Sequence, residues 1–288
     1  MLRVENICKT FFAGTINEKK ALQGLSLHLK PGDFVTVIGG NGAGKSTLMN
    51  SIAGVFSIDS GKIIIDGNDI TKTPEHKRAK YIGRVFQDPM MGTAAGMMIE
   101  ENLAIAARRG KTPGLKWGLD SDNQTWFSEL LQELDLGLEN RMTAKVGLLS
   151  GGQRQRGAIA RMLAMRPKLM LFDEPSSSLD PSNVSEVLDI IRGLRGGGRT
   201  IIVVTHQASF ARGMADSILI MEAGRIVSRE DPAFVTVRPA SEAGRNIFAR
   251  GLPVISALDR VEAAGRVMLG VPPDLPGASS LPRVRALG

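Results

Sequence analysis

Apolar and polar positions alternate in short runs over residues 1–38: "LRVENIC", "LQGLSLHL" and "DFVTVIGG". A period of two, interrupted by turn residues, predicts β-strands. The polar stretch "AGTINEKK" between the first two predicts an exposed turn. A helix is predicted from the glycine-rich "GGNGAGKST" to about Ala53. "GKIIIDGNDI" predicts a hairpin turning at Asp66-Gly67, "TPEHKRAK" a short helix, and "YIGRVFQ" a strand. Between about Asp88 and Met165 the apolar spacing changes. Trp126, Phe127, Leu130, Leu131 and Leu134 recur at three- and four-residue steps, which predicts a helical portion over 88–165. After Pro167 strands and helices alternate: "KLMLFDE", "VSEVLDIIRGL", "TIIVVTH", "QASFARGMA", "DSILIME". That order predicts a parallel sheet with crossover helices. Its first strands are continuous apolar runs, as expected where both faces are covered. One unit is expected over residues 1–230. Residues 231–288 hold 7 of the 14 prolines and only a local helical signal at "ISALDRVEAAGRVM". A loosely packed or partly disordered tail is expected there.

Composition narrows the class without naming a function. The 288 residues are 43% hydrophobic and 23% charged, enough to bury a sizeable core. Cys8 is the one cysteine, so an intrachain disulfide and a thiolate metal cluster are excluded; it reads as a packed strand residue. No apolar run is long enough to span a membrane, and no export signal is expected at the start. The net charge is +7, but basic residues are not interleaved with aromatics, which make up 5%. A basic solvated surface is therefore favoured over nucleic-acid binding. All 13 lysines lie at or before Lys168, and 13 arginines follow it. That seam leaves the charge unchanged and points to different ancestry of the two parts.

The glycine-rich segment carries the first chemistry. "GGNGAGKST" sets Gly39, Gly44, Lys45 and Ser46 in the spacing G-x-x-x-x-G-K-[ST], after the strand "FVTVI" and before a helical pattern. Gly39, Gly40, Asn41, Gly42, Ala43 and Gly44 form a chain of small residues that can curl its N–H groups around phosphates, continued by Ser46 and Thr47 at the helix start. Lys45 reads as a point charge for the β- and γ-phosphates. The Ser46 hydroxyl reads as a ligand of a bridging Mg²⁺. In "LMLFDEP" a buried strand ends at Asp173, a carboxylate suited to hold Mg²⁺ through water. Glu174 follows, placed to polarise an attacking water as general base. His206 ends "TIIVVTH" and could orient water and γ-phosphate; a histidine that merely caps a turn would look the same. Gln87 ends "YIGRVFQ", where its neutral amide can touch Mg²⁺ or water, or simply face solvent.

A second anion site follows in "VGLLSGGQRQRGAIARML". Ser150, Gly151 and Gly152 run into a helix with Ala158, Ile159, Met162 and Leu163 on one stripe and Arg154 and Arg161 beside it. Serine caps free N–H groups, and a helix start carries roughly half a positive charge. One chain thus holds two phosphate-seeking helix starts.

These motifs, in this order, resemble those of the ATP-binding cassette ATPase subunits of ABC transporters over about residues 1–229. Walker A is "GGNGAGKST", the Q-loop glutamine is Gln87, and Walker B is "LMLFDEP". The signature is "LSGGQ", the D-loop is "SSSLD" ending at Asp180, and the switch histidine is His206. Ser178 stands where alanine is usual in the D-loop. The resemblance implies an α/β fold: a P-loop ATPase core with a mostly parallel sheet, an N-terminal antiparallel β portion and an inserted α-helical subdomain. It implies hydrolysis of ATP to ADP and phosphate, with Glu174, His206 and Gln87 catalytic and with Mg²⁺ held by Ser46, Gln87 and Asp173. Phe11 of "KTFF", or else Phe12, would stack on adenine. Two subunits, identical or paired, would pack head to tail. Leu149, Ser150, Gly151, Gly152 and Gln153 of one would then close over the ATP of the other, which accounts for the two helix starts. The implied partners are two integral-membrane permease subunits and, indirectly, a solute-binding protein, with no nucleic acid. The implied place is the cytoplasmic face of the cell membrane. Residues up to about Gly147 resemble a poorly characterised bacterial solute-uptake group, and those from about Arg156 to Val227 resemble polar amino-acid importers. Import of an amino acid or similar small organic solute follows from that likeness. The alternative is a soluble, non-transport ATPase of this type acting on ribosomes or DNA. Ribosome factors of that type usually carry two cassettes and the DNA-organising kind a long coiled coil; this sequence shows neither.

Overall fold

The early alternating runs become β1 (Leu2–Phe11) and β2 (Lys19–Leu29), which pair antiparallel. With β4 (Ser60–Ile65) and β5 (Asn68–Asp69) they make a four-stranded sheet in the order β2-β1-β4-β5. The second sheet has six strands: β3 (Phe34–Gly39), β6 (Ile82–Val85), β7 (Leu169–Asp173), β8 (Thr200–Val204), β9 (Ser217–Glu222) and β10 (Arg225–Glu230). Their order is β10-β9-β3-β8-β7-β6, parallel except for β10. This computed structural model describes residues 1–109, 118–133, 137–177, 179–196, 198–205, 215–232 and Gly244. The expected helix at "QASFARGMA", Leu134, Ser178 and nearly all of the tail after Asp231 lie outside the described residues.

The continuous apolar strands feed two cores because alternate residues leave opposite faces. Val35, Val37, Leu169, Leu171, Ile202 and Val204 face one core, shared with the antiparallel sheet and α1 (Lys45–Ala53). Phe34, Ile38, Met170, Phe172, Ile201 and Val203 face the other, under α5 (Gly151–Ala164) and α6 (Pro181–Gly193). A third core lies among α3 (Ile99–Arg108), α4 (Ser121–Glu133) and α5, around the fully buried Phe127 and Leu131. The short helix α2 (Glu75–Arg78) precedes β6.

Two details differ from the sequence expectation. The strand of "YIGRVFQ" stops at Val85, so Gln87 lies two residues past it in an exposed bend. β10 was not anticipated. It is a sheet edge whose exposed alternate positions include Arg225 and Arg229, so its apolar content is too low to read as a strand.

Arg78 at the end of α2 is 2% exposed. Its guanidinium donates to the carbonyls of Ser51 and Ile52, at 2.8 and 2.9 Å, and to those of Thr71 and Thr73, at 3.0 and 2.7 Å. The first two are orphan acceptors at the end of α1. Burial pulls its pKa down from the ordinary arginine value. Arg78→Met would leave four carbonyls short of a donor, so a loss of about 3 kcal/mol is expected. Urea denaturation measures it; a loss below about 1 kcal/mol would mean that water replaces the guanidinium.

Candidate functional site

The loop after β3 turns into α1 at Gly44, whose φ is 98°. A Cβ there would meet the Ala21 carbonyl oxygen at 2.6 Å, so only glycine fits both the conformation and the approach. The N–H of Gly224, in the β9–β10 turn, donates to the Ala43 carbonyl at 3.0 Å and braces the loop from behind. Asn41 to Thr47 line a cavity of about 260 Å³ together with Lys19, Ala21 and Glu174. The loop thus offers a helix start and backbone N–H groups to a ligand of phosphate chemistry.

Lys45 is 7% exposed, and its ammonium donates to the carbonyls of Gly39 at 2.7 Å and Gly40 at 3.1 Å. Burial lowers its pKa; the nearby Glu174 and Asp173 carboxylates oppose that shift. Lys45 and Glu174 line the same cavity, with Asp173 close enough to act on the Lys45 charge. Asp173 ends β7 opposite Val204 of β8. Glu174 comes next with φ 47°, its N–H held by the Val204 carbonyl at 2.9 Å. Left-handed backbone at a side chain with a Cβ costs about 1–3 kcal/mol. Here the strain redirects the chain out of the strand just where Glu174 reaches the cavity.

Among the described residues no group of three or more His, Cys, Asp or Glu could hold a metal unaided. A cation at Asp173 and the exposed Ser46 would depend on phosphate and water oxygens for the rest of its shell. That donor set fits Mg²⁺, which keeps waters and binds through few protein ligands.

Asp173 has a partner that the sequence did not reveal. Arg84 of β6 donates to its Oδ2 at 2.8 Å and, through the other prong, to Asn50 Oδ1 of α1 at 2.6 Å. The guanidinium carbon lies 4.5 Å from the centre of the Phe86 ring. A charged residue amid the apolar run of β6 was the available signal; its partner 89 residues away was not.

The second helix start stands apart. Ser150 caps α5, its Oγ accepting from Gln153 N at 3.3 Å while Gln153 Oε1 accepts from Ser150 N at 3.1 Å. That reciprocal box satisfies two end donors. Ser150 and Gly151 are exposed, Leu149 and Gly152 buried. A Cβ on Gly152 would meet Asn183 Oδ1 of α6 at 2.6 Å, so glycine lets the two helices close. Among the described residues none from 149–153 lines the phosphate-loop cavity. Asp180 is the exposed residue just before α6.

The two phenylalanines diverge. Phe11 packs edge-on against Phe56, ring centres 5.3 Å apart, with the Lys9 ammonium 5.6 Å from its centre. It pairs across the sheet with Lys19, which lines the cavity. Phe12 is 70% exposed with φ 55°. His206 lies outside the described residues, although its strand, β8, does neighbour β7.

Comparison with known proteins now adds to this geometry. The family model described as ABC transporter matches residues 22–177. A tyrosine transport ATP-binding protein of Clostridioides difficile is 36% identical over 79% of this chain and 90% of its own length. A glutamine transport ATP-binding protein of Geobacillus stearothermophilus is 35% identical over 80% and 92%. A solved dimeric ATP-binding cassette in a post-hydrolysis state with ADP and Pi is 28% identical with a TM-score of 0.70, over 81% of this chain and 99% of that one.

Proposed function

This chain belongs to the ABC transporter family, and on that premise we propose that it is the ATP-hydrolysing motor of an importer for an amino acid or similar small organic solute. The observation that carries the reading is the cavity where the phosphate loop, Lys45 and Glu174 meet. Lys45 would move its charge from two loop carbonyls onto the β- and γ-phosphates. Glu174 would take the proton of the attacking water. Mg²⁺ would neutralise charge developing between the phosphates, held by Ser46, Asp173 and, once brought near, Gln87. Phe11, fixed by Phe56, is the better-positioned of the two aromatics to flank adenine, with the bare Phe12 beside it. His206 is retained as the residue that orients water and γ-phosphate. Leu149 to Gln153 serve the ATP of a second copy or paired cassette, and Asp180 stands at that same junction. The names of these relatives, tyrosine transport and glutamine transport ATP-binding proteins, support an amino-acid cargo.

A groove of about 420 Å³ between core and helical portion is the proposed seat of a permease helix. Among the described residues that line it are Arg78, Arg84, Arg108, Arg109 and Arg161, with Glu75 as the one acid. Burial, with Arg109 close by, pulls Arg161 down to about 10. A carboxylate on the incoming helix would relieve that crowding, so the partner segment should be acidic. Among the described residues no helix is long and apolar enough to cross a membrane. Met91, whose carbonyl accepts from Arg161 at 3.4 Å, is 53% exposed at this edge, while Met90 packs against the helical core.

Purification of the full chain from its native membranes in mild detergent should bring down hydrophobic permease subunits. Arg109→Glu should release them at least tenfold while ATP binding persists. Ribosomes or DNA in place of permease subunits would instead favour the non-transport ATPase.

A further inference from the structure

We propose that Arg84 is a built-in counter-cation for Asp173 that sets how weakly the site holds Mg²⁺. The inference rests on the reading of Asp173 as the metal-holding carboxylate and concerns a residue that no motif includes. Arg84 and Asp173 have side chains only 10% and 13% exposed, and their contact is 2.8 Å. At that burial an unpaired carboxylate is strongly unfavourable, so some cation must face it throughout the ATP cycle. The guanidinium is fixed from three directions. One prong is on Asp173, the other is on Asn50 of α1, and its face lies against Phe86. A charge held this way cannot swing aside when a metal arrives. It keeps Asp173 paired and oriented without the metal, and it repels the metal when present. Arg84 therefore acts as a positioning residue that also loosens Mg²⁺. The benefit falls at product release, where a tightly held metal would retain ADP.

The test is a Mg²⁺ titration of the full chain at a fixed concentration of the β,γ-imido analogue of ATP, read by calorimetry and by the thermal transition. Arg84→Gln removes the charge, and its shorter amide does not reach Asn50 and Asp173 as the two guanidinium prongs do. It should bind Mg²⁺ about tenfold more tightly. Arg84→Lys keeps the charge and should stay within about twofold of the unaltered chain. Binding of the analogue in EDTA should be alike in all three. An unchanged or weaker Mg²⁺ affinity in Arg84→Gln would overturn the proposal, as would an equal shift in Arg84→Lys. Should Arg84→Gln unfold alone, Mg²⁺ with the analogue should restore its transition well beyond the analogue in EDTA; equal restoration also overturns it. Asp173→Asn separates the two levels of argument. If that change leaves Mg²⁺ affinity untouched, the metal reading of Asp173 fails. If it weakens Mg²⁺ while Arg84→Gln changes nothing, only the role given to Arg84 fails.

Discussion

Glu174→Gln is expected to lower ATP turnover by about a thousandfold while ATP stays bound. The amide has nearly the shape of the carboxylate but cannot accept the proton of the attacking water. The backbone that carries it should be unaffected, because the turn out of β7 is set by the N–H bond to Val204 and by the left-handed φ, which glutamine tolerates as poorly as glutamate does. Lys45 and the signature also remain, so the contacts that close a dimer over ATP persist. Size-exclusion chromatography with ATP should show a stable dimer, and single-turnover assays should show ATP retained. A variant that hydrolyses at the unaltered rate and stays monomeric would remove Glu174 from the role of base.

A mixture of two inactive variants should regain one nucleotide site per dimer. Lys45→Ala removes the charge on the phosphates, and alone it should abolish tight ATP binding. Ser150→Arg destroys the reciprocal cap of α5 and fills the helix start where close approach is needed. Each homodimer has two damaged sites. In the mixed dimer one site collects both lesions, and the other joins an intact phosphate loop to an intact signature. The separation of residues 149–153 from the loop's own cavity supports this arrangement. Trapped ATP is the quantity to measure, since turnover can require both sites. No recovery, with mixed dimers demonstrated independently, would return the signature to its own chain's nucleotide.

Much of this site was legible because its chemistry is contiguous in sequence. Lys45 and Ser46 sit inside a glycine-rich run, and Asp173 and Glu174 end one apolar strand, so spacing alone identifies them. What sequence could not give was pairing across distance. Arg84 is an isolated charge in a strand until β6 and β7 lie side by side in parallel. Arg78 looks like one basic residue among several in "EHKR" until the end of α1 is folded over it. The choice between Phe11 and Phe12 turns on strand alternation and on Phe56, 45 residues further along. The fold class was readable from the change of apolar period, whereas β10 was hidden because an edge strand needs little apolar content.

Helix α5 belongs to two cores at once. Ala158, Ile159, Met162 and Leu163 are packed under the large sheet, while Ala160 and Ala164 are packed among α3 and α4. Mechanically this makes α5 an axle fitted at both sides. A load applied to the helical portion cannot turn it without either dragging α5 or opening a gap beside Ala160 and Ala164. Small side chains at those two points leave little slack to absorb the torque. On the proposed reading of the basic groove, a push there would be carried along α5 to its capped start at Ser150, where Gly152 lies against α6. In the proposed motor the shared helix would set the gearing of the stroke, through where along α5 the two cores take hold.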